Sequence, residues 1–122
     1  MARPRNFSED DVIERAAGAF GRLGYIGCSV DDLVEATGLQ RGSLYKVFGS
    51  KRGLFEKVLQ RALAGEWQRD PAALDLMITA LRELVSFDLP IAALCRNALA
   101  ACAEGPAELL GSRLLEHLPA KE

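Results

Sequence analysis

The sequence predicts an all-α fold, on three observations. Apolar residues recur three and four positions apart along most of the 122 residues, the spacing of one helical face. Start and stop signals punctuate that pattern at short intervals: Ser8, Ser29, Ser50 and Asp70-Pro71 as starts, Gly24, Gly38 and Gly49 as stops. No stretch shows the alternation of a half-buried strand. The expected architecture is an N-terminal three-helix helix-turn-helix domain over residues 1–65, joined by a fourth helix to a small helical C-terminal region over 66–122.

The first helix starts at Ser8, where Asp11 three residues on completes a capping box. Glu9, Asp10 and Asp11 sit where the helix dipole favours anions. Val12, Ile13, Ala16, Ala17, Phe20 and Leu23 make its inner face. Gly24 ends it, and Tyr25 and Ile26 are expected to pack under the turn. Phe20 and Tyr25 read as core rather than as a stacking platform. Ahead of the helix, residues 1–7 carry Arg3 and Arg5. Two readings of this arm stand: an unstructured terminus, or a phosphate or minor-groove contact.

The stretch SVDDLVEATGLQRGSLYKVFGSK, residues 29–51, organises the rest. Ser29 and Asp32 form another capping-box start. Val30, Leu33 and Val34 line one face, and Gly38 stops the helix where a left-handed residue is wanted. A second short helix is expected from Gln40 to Phe48. Two short helices across a tight Gly-containing turn, over about residues 29–48, make a helix-turn-helix, whose second helix enters the DNA major groove. On that helix Gln40, Leu44, Val47 and Phe48 fall together. Gly42 and Lys46 fall opposite, flanked by Ser43 and Tyr45, and Arg41 can swing outward from the first turn. Gly42 costs about 1 kcal/mol relative to Ala inside a helix. It marks either close approach of a phosphate or base edge, or a frayed first turn.

Gly49 breaks the chain again and Ser50 caps the fourth helix. Lys51 and Arg52 in its first turn oppose the helix dipole. They read as a phosphate site beside the recognition helix, or as an ordinary solvated pair. Leu54, Phe55, Val58, Leu59, Ala62 and Leu63 continue the helix to about Trp67. Helix five is expected over 71–86, from Leu74, Met77, Leu81, Leu84 and Val85. Asp88 to Pro90 interrupts. Helix six carries Ile91, Leu94, Cys95, Ala98, Leu99 and Cys102, up to Gly105-Pro106. Helix seven carries Leu109, Leu110, Leu114, Leu115 and Leu118, and Pro119 ends it.

The overall charge of −2 is unpromising for a nucleic-acid binder, but its distribution is not. Residues 1–65 are net +2 and residues 66–122 net −4. Arg3, Arg5, Arg41, Lys46, Lys51 and Arg52 form a local basic footprint. No apolar run reaches the length of a membrane span, and the N-terminus lacks the apolar core of a signal peptide, so a cytoplasmic location is expected. Cys28, Cys95 and Cys102 lack metal-site spacing. Small buried thiols are the first reading and a redox sensor the second. No metal, cofactor or catalytic residues are expected. The single histidine, His117, reads as surface decoration, and no nucleophile–base set can be assembled.

The segments VIERAAGAFGRLGY and SVDDLVEATGLQRGSLYKVFGSKRGLFEKVL resemble the tetracycline-repressor (TetR) family of bacterial transcription regulators. The resemblance covers roughly residues 7–63. It implies a helical, dimeric, operator-binding protein, most simply a repressor. It places Arg41, Gly42, Ser43, Tyr45 and Lys46 toward the operator, and Ser29 and Lys51 on phosphates. IAALCRNALAACAE is similar to a mid-domain helix of some members. The rest departs from the family, whose C-terminal region is longer and ends in two long helices that form a dimer bundle.

Two function classes follow. One is a sequence-specific regulator that binds a palindromic double-stranded operator as a homodimer. The other is a helical interaction module without operator binding, paired with a full-length relative. Residues 66–122 alone would be a marginal fold, so dimerisation is expected through helices six and seven, at Leu94, Ala98, Ala101, Cys102, Leu110 and Leu114. Met77, Leu81, Leu94, Cys95 and Leu99 are the residues available to line an effector cavity. They are also needed as core, so any such pocket is expected to be small and apolar, or absent.

Overall fold

Seven α-helices and one 3-10 turn follow one another along residues 8–120, the part of the chain that the computed structural model describes. No strand occurs among them. The arm with Arg3 and Arg5 lies outside the described residues. The chain divides into two compact units, one up to Val58 and the other from Leu59. The sequence break at Gly65 lies inside the second unit, just past a helix end.

The first unit begins with α1, Glu9–Leu23, whose Ser8 Oγ accepts from Asp11 N at 3.0 Å. Val12, Ile13, Ala16, Ala19 and Phe20 are buried. Ala19 takes the place expected for Ala17, which lies on the edge of the stripe and is half-buried. Leu23, on the last turn where the cover runs out, is exposed. Ile26 is 73% exposed rather than packed under the turn. Tyr25 occupies the space beneath. Its ring centroid lies 6.0 Å from that of Phe20 and 5.3 Å from that of Phe55, and Phe20 meets Phe55 edge-on at 5.0 Å. Such ring pairs add to the burial that already favours them.

Helix α2, Val30–Thr37, and helix α3, Arg41–Phe48, complete the helix-turn-helix. Gly38 ends α2 with φ 79° and ψ 0°, left-handed backbone that a side chain would strain. The buried Thr37 tightens the same turn: its Oγ1 donates to Leu33 O at 2.7 Å and accepts from Leu39 N at 3.2 Å. On α3 only Leu44 and Phe48 are buried. Gln40 and Val47, expected on the same face, are exposed. Gln40 is the N-cap, with extended backbone that takes it off the helical wheel, and a two-turn helix turns inward only a narrow i, i+4 strip.

Helix α4, Lys51–Ala64, starts at Ser50, whose Oγ accepts from Gly53 N at 2.9 Å. It stops three residues short of the expected Trp67. Trp67 instead opens the 3-10 turn Trp67–Arg69, with its side chain almost fully buried.

In the second unit, Asp70 caps α5, Pro71–Glu83, by accepting from Ala72 N at 3.0 Å. Every residue from Ala73 to Ala80 apart from Asp75 is buried, so α5 is the central helix of this unit. It ends before the expected residue 86 because Leu84 and Val85 both donate to Ala80 O, which breaks the regular ladder. The expected interruption at Asp88 to Pro90 is the start of α6, Leu89–Ala100. Asp88 accepts from Ile91 N at 3.1 Å, and Pro90 fits the first turn, where no N–H is needed. Cys102 falls in the turn beyond α6. Helix α7, Pro106–Leu115, fully buries none of its side chains and leaves Leu118 beyond its end. It meets α5 through polar groups around Asp75. His117 is one of them, with Nε2 3.2 Å from Asp75 Oδ1, so it is not mere decoration.

Candidate nucleic-acid interface

The two apolar contacts of α3 set what it shows outward. Leu44 and Phe48 turn into the first unit, and Arg41, Gly42, Ser43, Tyr45 and Lys46 are all exposed. Tyr45 and Val47, on opposite flanks of the helix, are each 43% exposed. Gln40 caps α3 without a side-chain hydrogen bond. The first-turn amides, orphaned by helix geometry, are therefore left to outside acceptors. At Gly42 an added Cβ would meet nothing within 4 Å, so nothing inside the fold calls for glycine there.

Charges around this face are partly self-paired. Arg41 makes an ion pair with Asp31 on α2, and both side chains are at least half exposed. Exposed pairs of this kind are weak and screened by salt, so the guanidinium can exchange partners. Ser29 forms the full capping box with Asp32, accepting from Asp32 N at 3.0 Å while Asp32 Oδ2 accepts from Ser29 N at 2.9 Å. Bonds from the Ser29 backbone, then its side chain, hold the Asp32 carboxyl below the usual carboxylate range.

At the start of α4 the arrangement differs from the expected basic pair. Lys51 Nζ donates to Tyr25 O at 2.9 Å and to Cys28 O at 3.0 Å, and lies 4.2 Å from the centroid of the Tyr25 ring. Arg52 pairs with Glu56 one turn along α4. Lys51 is thus half-buried, with two of its donors spent inside the first unit.

Sequence reasoning missed Gly53. A Cβ there would stand 2.1 Å from Phe48 O, so the α3–α4 junction closes only over glycine. A glycine three residues into a capped helix was the available signal. Val47 was missed as an exposed residue because the wheel alone placed it inward.

The residues expected at a dimer interface are incompletely covered. Leu94 and Ala98 on α6 are half-buried, as are Cys102 in the following turn and Leu110 on α7. Ala101 is exposed, and Leu114 is 47% exposed. Phe87, Leu89, Leu115 and Leu118, not singled out by the sequence as surface residues, are exposed as well. The second unit also has an open groove of about 550 Å³, lined by Leu81, Val85, Ala92, Cys95, Arg96, Leu99 and Ala100. This is larger than the small or absent pocket expected. Met77, expected as lining, is instead fully buried in the core.

Burial raises the Cys28 thiol, with the Asp32 charge adding to it, and pushes Cys95 up to about 11. Both shifts run opposite to the lowering that a reactive thiol needs. Among the described residues no group of three or more His, Cys, Asp or Glu side chains could hold a metal ion, and no helix is long and apolar enough to cross a membrane.

Residues 12–58 match the family model described as bacterial regulatory proteins, tetR family. The chain is 39% identical over 66 residues to an uncharacterized HTH-type transcriptional regulator of Bacillus subtilis, YezE, covering 54% of this chain and 34% of that protein. It is 44% identical over 59 residues to the HTH-type transcriptional repressor ComR of Escherichia coli, covering 48% and 28%. It is 38% identical over 64 residues to the HTH-type transcriptional repressor BdcR of the same species, covering 52% and 32%. The matched segment spans about a third of the length of these curated relatives.

Proposed function

We propose a function for a chain whose residues 12–58 belong to the tetR family of bacterial regulatory proteins: a sequence-specific DNA-binding transcriptional regulator, acting as a repressor. The observation that carries it is the outward face of α3, where Arg41, Gly42, Ser43, Tyr45 and Lys46 are exposed above the buried Leu44 and Phe48. An exposed helix with two cations, a hydroxyl, a phenol and a bare backbone position suits base edges and phosphates in a major groove. Ser29, at the start of α2, keeps a hydroxyl proton to offer a phosphate while its oxygen caps the helix. Two of the three relatives named above are described as repressors, which supports the direction of regulation.

The working form in this reading is a two-fold dimer on a palindromic operator. Residues 1–65 read DNA and residues 66–122 associate, with Leu94, Ala98, Ala101, Cys102, Leu110 and Leu114 at the interface. Exposed apolar side chains on and around α6 and α7 support it. Two recognition helices then meet inverted half-sites about one helical turn, 34 to 36 Å, apart.

Selection from random genomic fragments at moderate salt tests the proposal. Enrichment of a shared inverted repeat is the expected result. Binding with no sequence preference, or none at all, favours the interaction module that pairs with a full-length relative.

A further inference from the structure

We infer that Lys51 is a positioning residue of the DNA-binding face: an internal strut that holds the α1–α2 turn, and through it the Ser29 cap of α2, against the start of α4. The inference rests on the DNA-binding reading above and changes the part Lys51 plays in it.

A cation in the first turn of a helix works against the dipole, so something must favour it there. The favourable groups are internal. Two of the three ammonium donors go to carbonyl oxygens, Tyr25 O at 2.9 Å and Cys28 O at 3.0 Å. The charge also faces the Tyr25 ring, with Nζ 4.2 Å from its centroid, a distance at which the ring quadrupole attracts a cation. These are the two ends of one turn, whose own closing bond runs from Cys28 N to Tyr25 O at 3.2 Å.

Both ends are otherwise fixed. The Tyr25 ring is set against Phe20 of α1 and Phe55 of α4. Cys28 is fully buried, and the next residue is the capping Ser29. One ammonium therefore ties α4 to the segment that sets where α2 begins, and α3 follows α2 across a tight glycine turn. A phosphate is left only the third ammonium donor unless Lys51 gives up one of these carbonyls. The geometry gives Lys51 an effect on DNA through the placement of α2 and α3 rather than through its charge.

Side-chain nitrogen NMR and operator binding test this on the full chain. In the DNA-free protein the Lys51 ammonium is expected to give a slowly exchanging resonance that stays in place when the selected operator is added. Lys51→Met is expected to lower operator affinity about tenfold, as for one lost charge-assisted, half-buried pairing. The slope of log affinity against log salt is expected to be unchanged, because no counterion-releasing contact is removed.

A salt slope shallower by about 0.9 per protomer, or a resonance that moves on operator binding, would overturn the inference. Where Lys51→Met does not fold, the wild-type resonance with and without operator decides alone. Failure of the wild-type protein to bind any specific DNA overturns the DNA-binding reading instead. It is recognised by a protected Lys51 resonance persisting in the free protein.

Discussion

Arg113 holds Asp75 by two hydrogen bonds of equal length: Nε to Oδ1 and Nη2 to Oδ2, both 2.8 Å, with both side chains mostly covered. This forked pair joins α7 to α5, and α7 has no fully buried side chain to do so instead. Burial alone would raise the Asp75 carboxyl, but hydrogen bonds from Arg113 and then His117 outweigh it and leave it below its ordinary value of 3.8. A carboxylate lowered on folding contributes stability above its unfolded value and loses it as pH falls through its folded one. The melting temperature is therefore expected to fall as the pH drops below about 4. Asp75→Asn is expected to melt lower at neutral pH and to show a flatter acid limb. Calorimetry across that range checks both.

Roles on α3 separate by the kind of loss. Changes at Arg41 or Lys46 are expected to alter which base is preferred, by about 1 to 3 kcal/mol for a well-aligned contact. Tyr45→Phe, removing a phosphate-type hydroxyl, is expected to weaken all sites alike. Asp31→Asn frees Arg41 from its carboxylate partner and is expected to raise affinity severalfold at low salt and less at high salt. Titrations against a panel of operator variants distinguish these outcomes.

Gly42 has open space around an added Cβ. Gly42→Ala is expected to stabilise α3 by roughly 1 kcal/mol and still to weaken operator binding, because the methyl group meets DNA rather than protein. A higher melting temperature together with a weaker complex is the signature. A higher melting temperature with unchanged binding would return Gly42 to the frayed-turn reading.

Leu44 is 4% exposed on the inner side of α3, beside Leu33 and Leu54. Leu44→Ala is expected to destabilise the protein by about 2 to 5 kcal/mol, through lost burial and the cavity left behind. Denaturant unfolding measures it.

Leu114→Glu places a charge on the expected dimer face without touching the DNA face. Sedimentation is expected to shift from dimer to monomer, with loss of operator binding. A wild-type protein already monomeric at micromolar concentration, with half-site binding that the substitution leaves unchanged, would remove the dimer from the proposal.

The helices themselves were legible because their signals are local. Ser8, Ser29, Asp70 and Gly38 each cap as their residue types require. The outward set on α3 was legible for the same reason, once Leu44 and Phe48 were read as inner residues. What was not legible depends on neighbours distant in sequence. The turn of Lys51 toward residues 25 and 28 spans more than twenty positions, and the link from His117 to Asp75 spans 42. No periodicity encodes such contacts. Val47 and Ile26 show the converse: an apolar side chain on a short helix or tight turn faces whatever the neighbouring elements leave open.

Trp67 carries a further consequence. It is the chain's only tryptophan, and it is buried in the second unit, while both tyrosines, Tyr25 and Tyr45, lie in the first. The molecule thus has a separate optical probe in each unit. Indole fluorescence excited at the red edge follows residues from Leu59 onward, and the tyrosine absorption bands follow the residues up to Val58. Melting curves read at the two signals, taken from one sample, coincide if the units unfold together and separate if they do not.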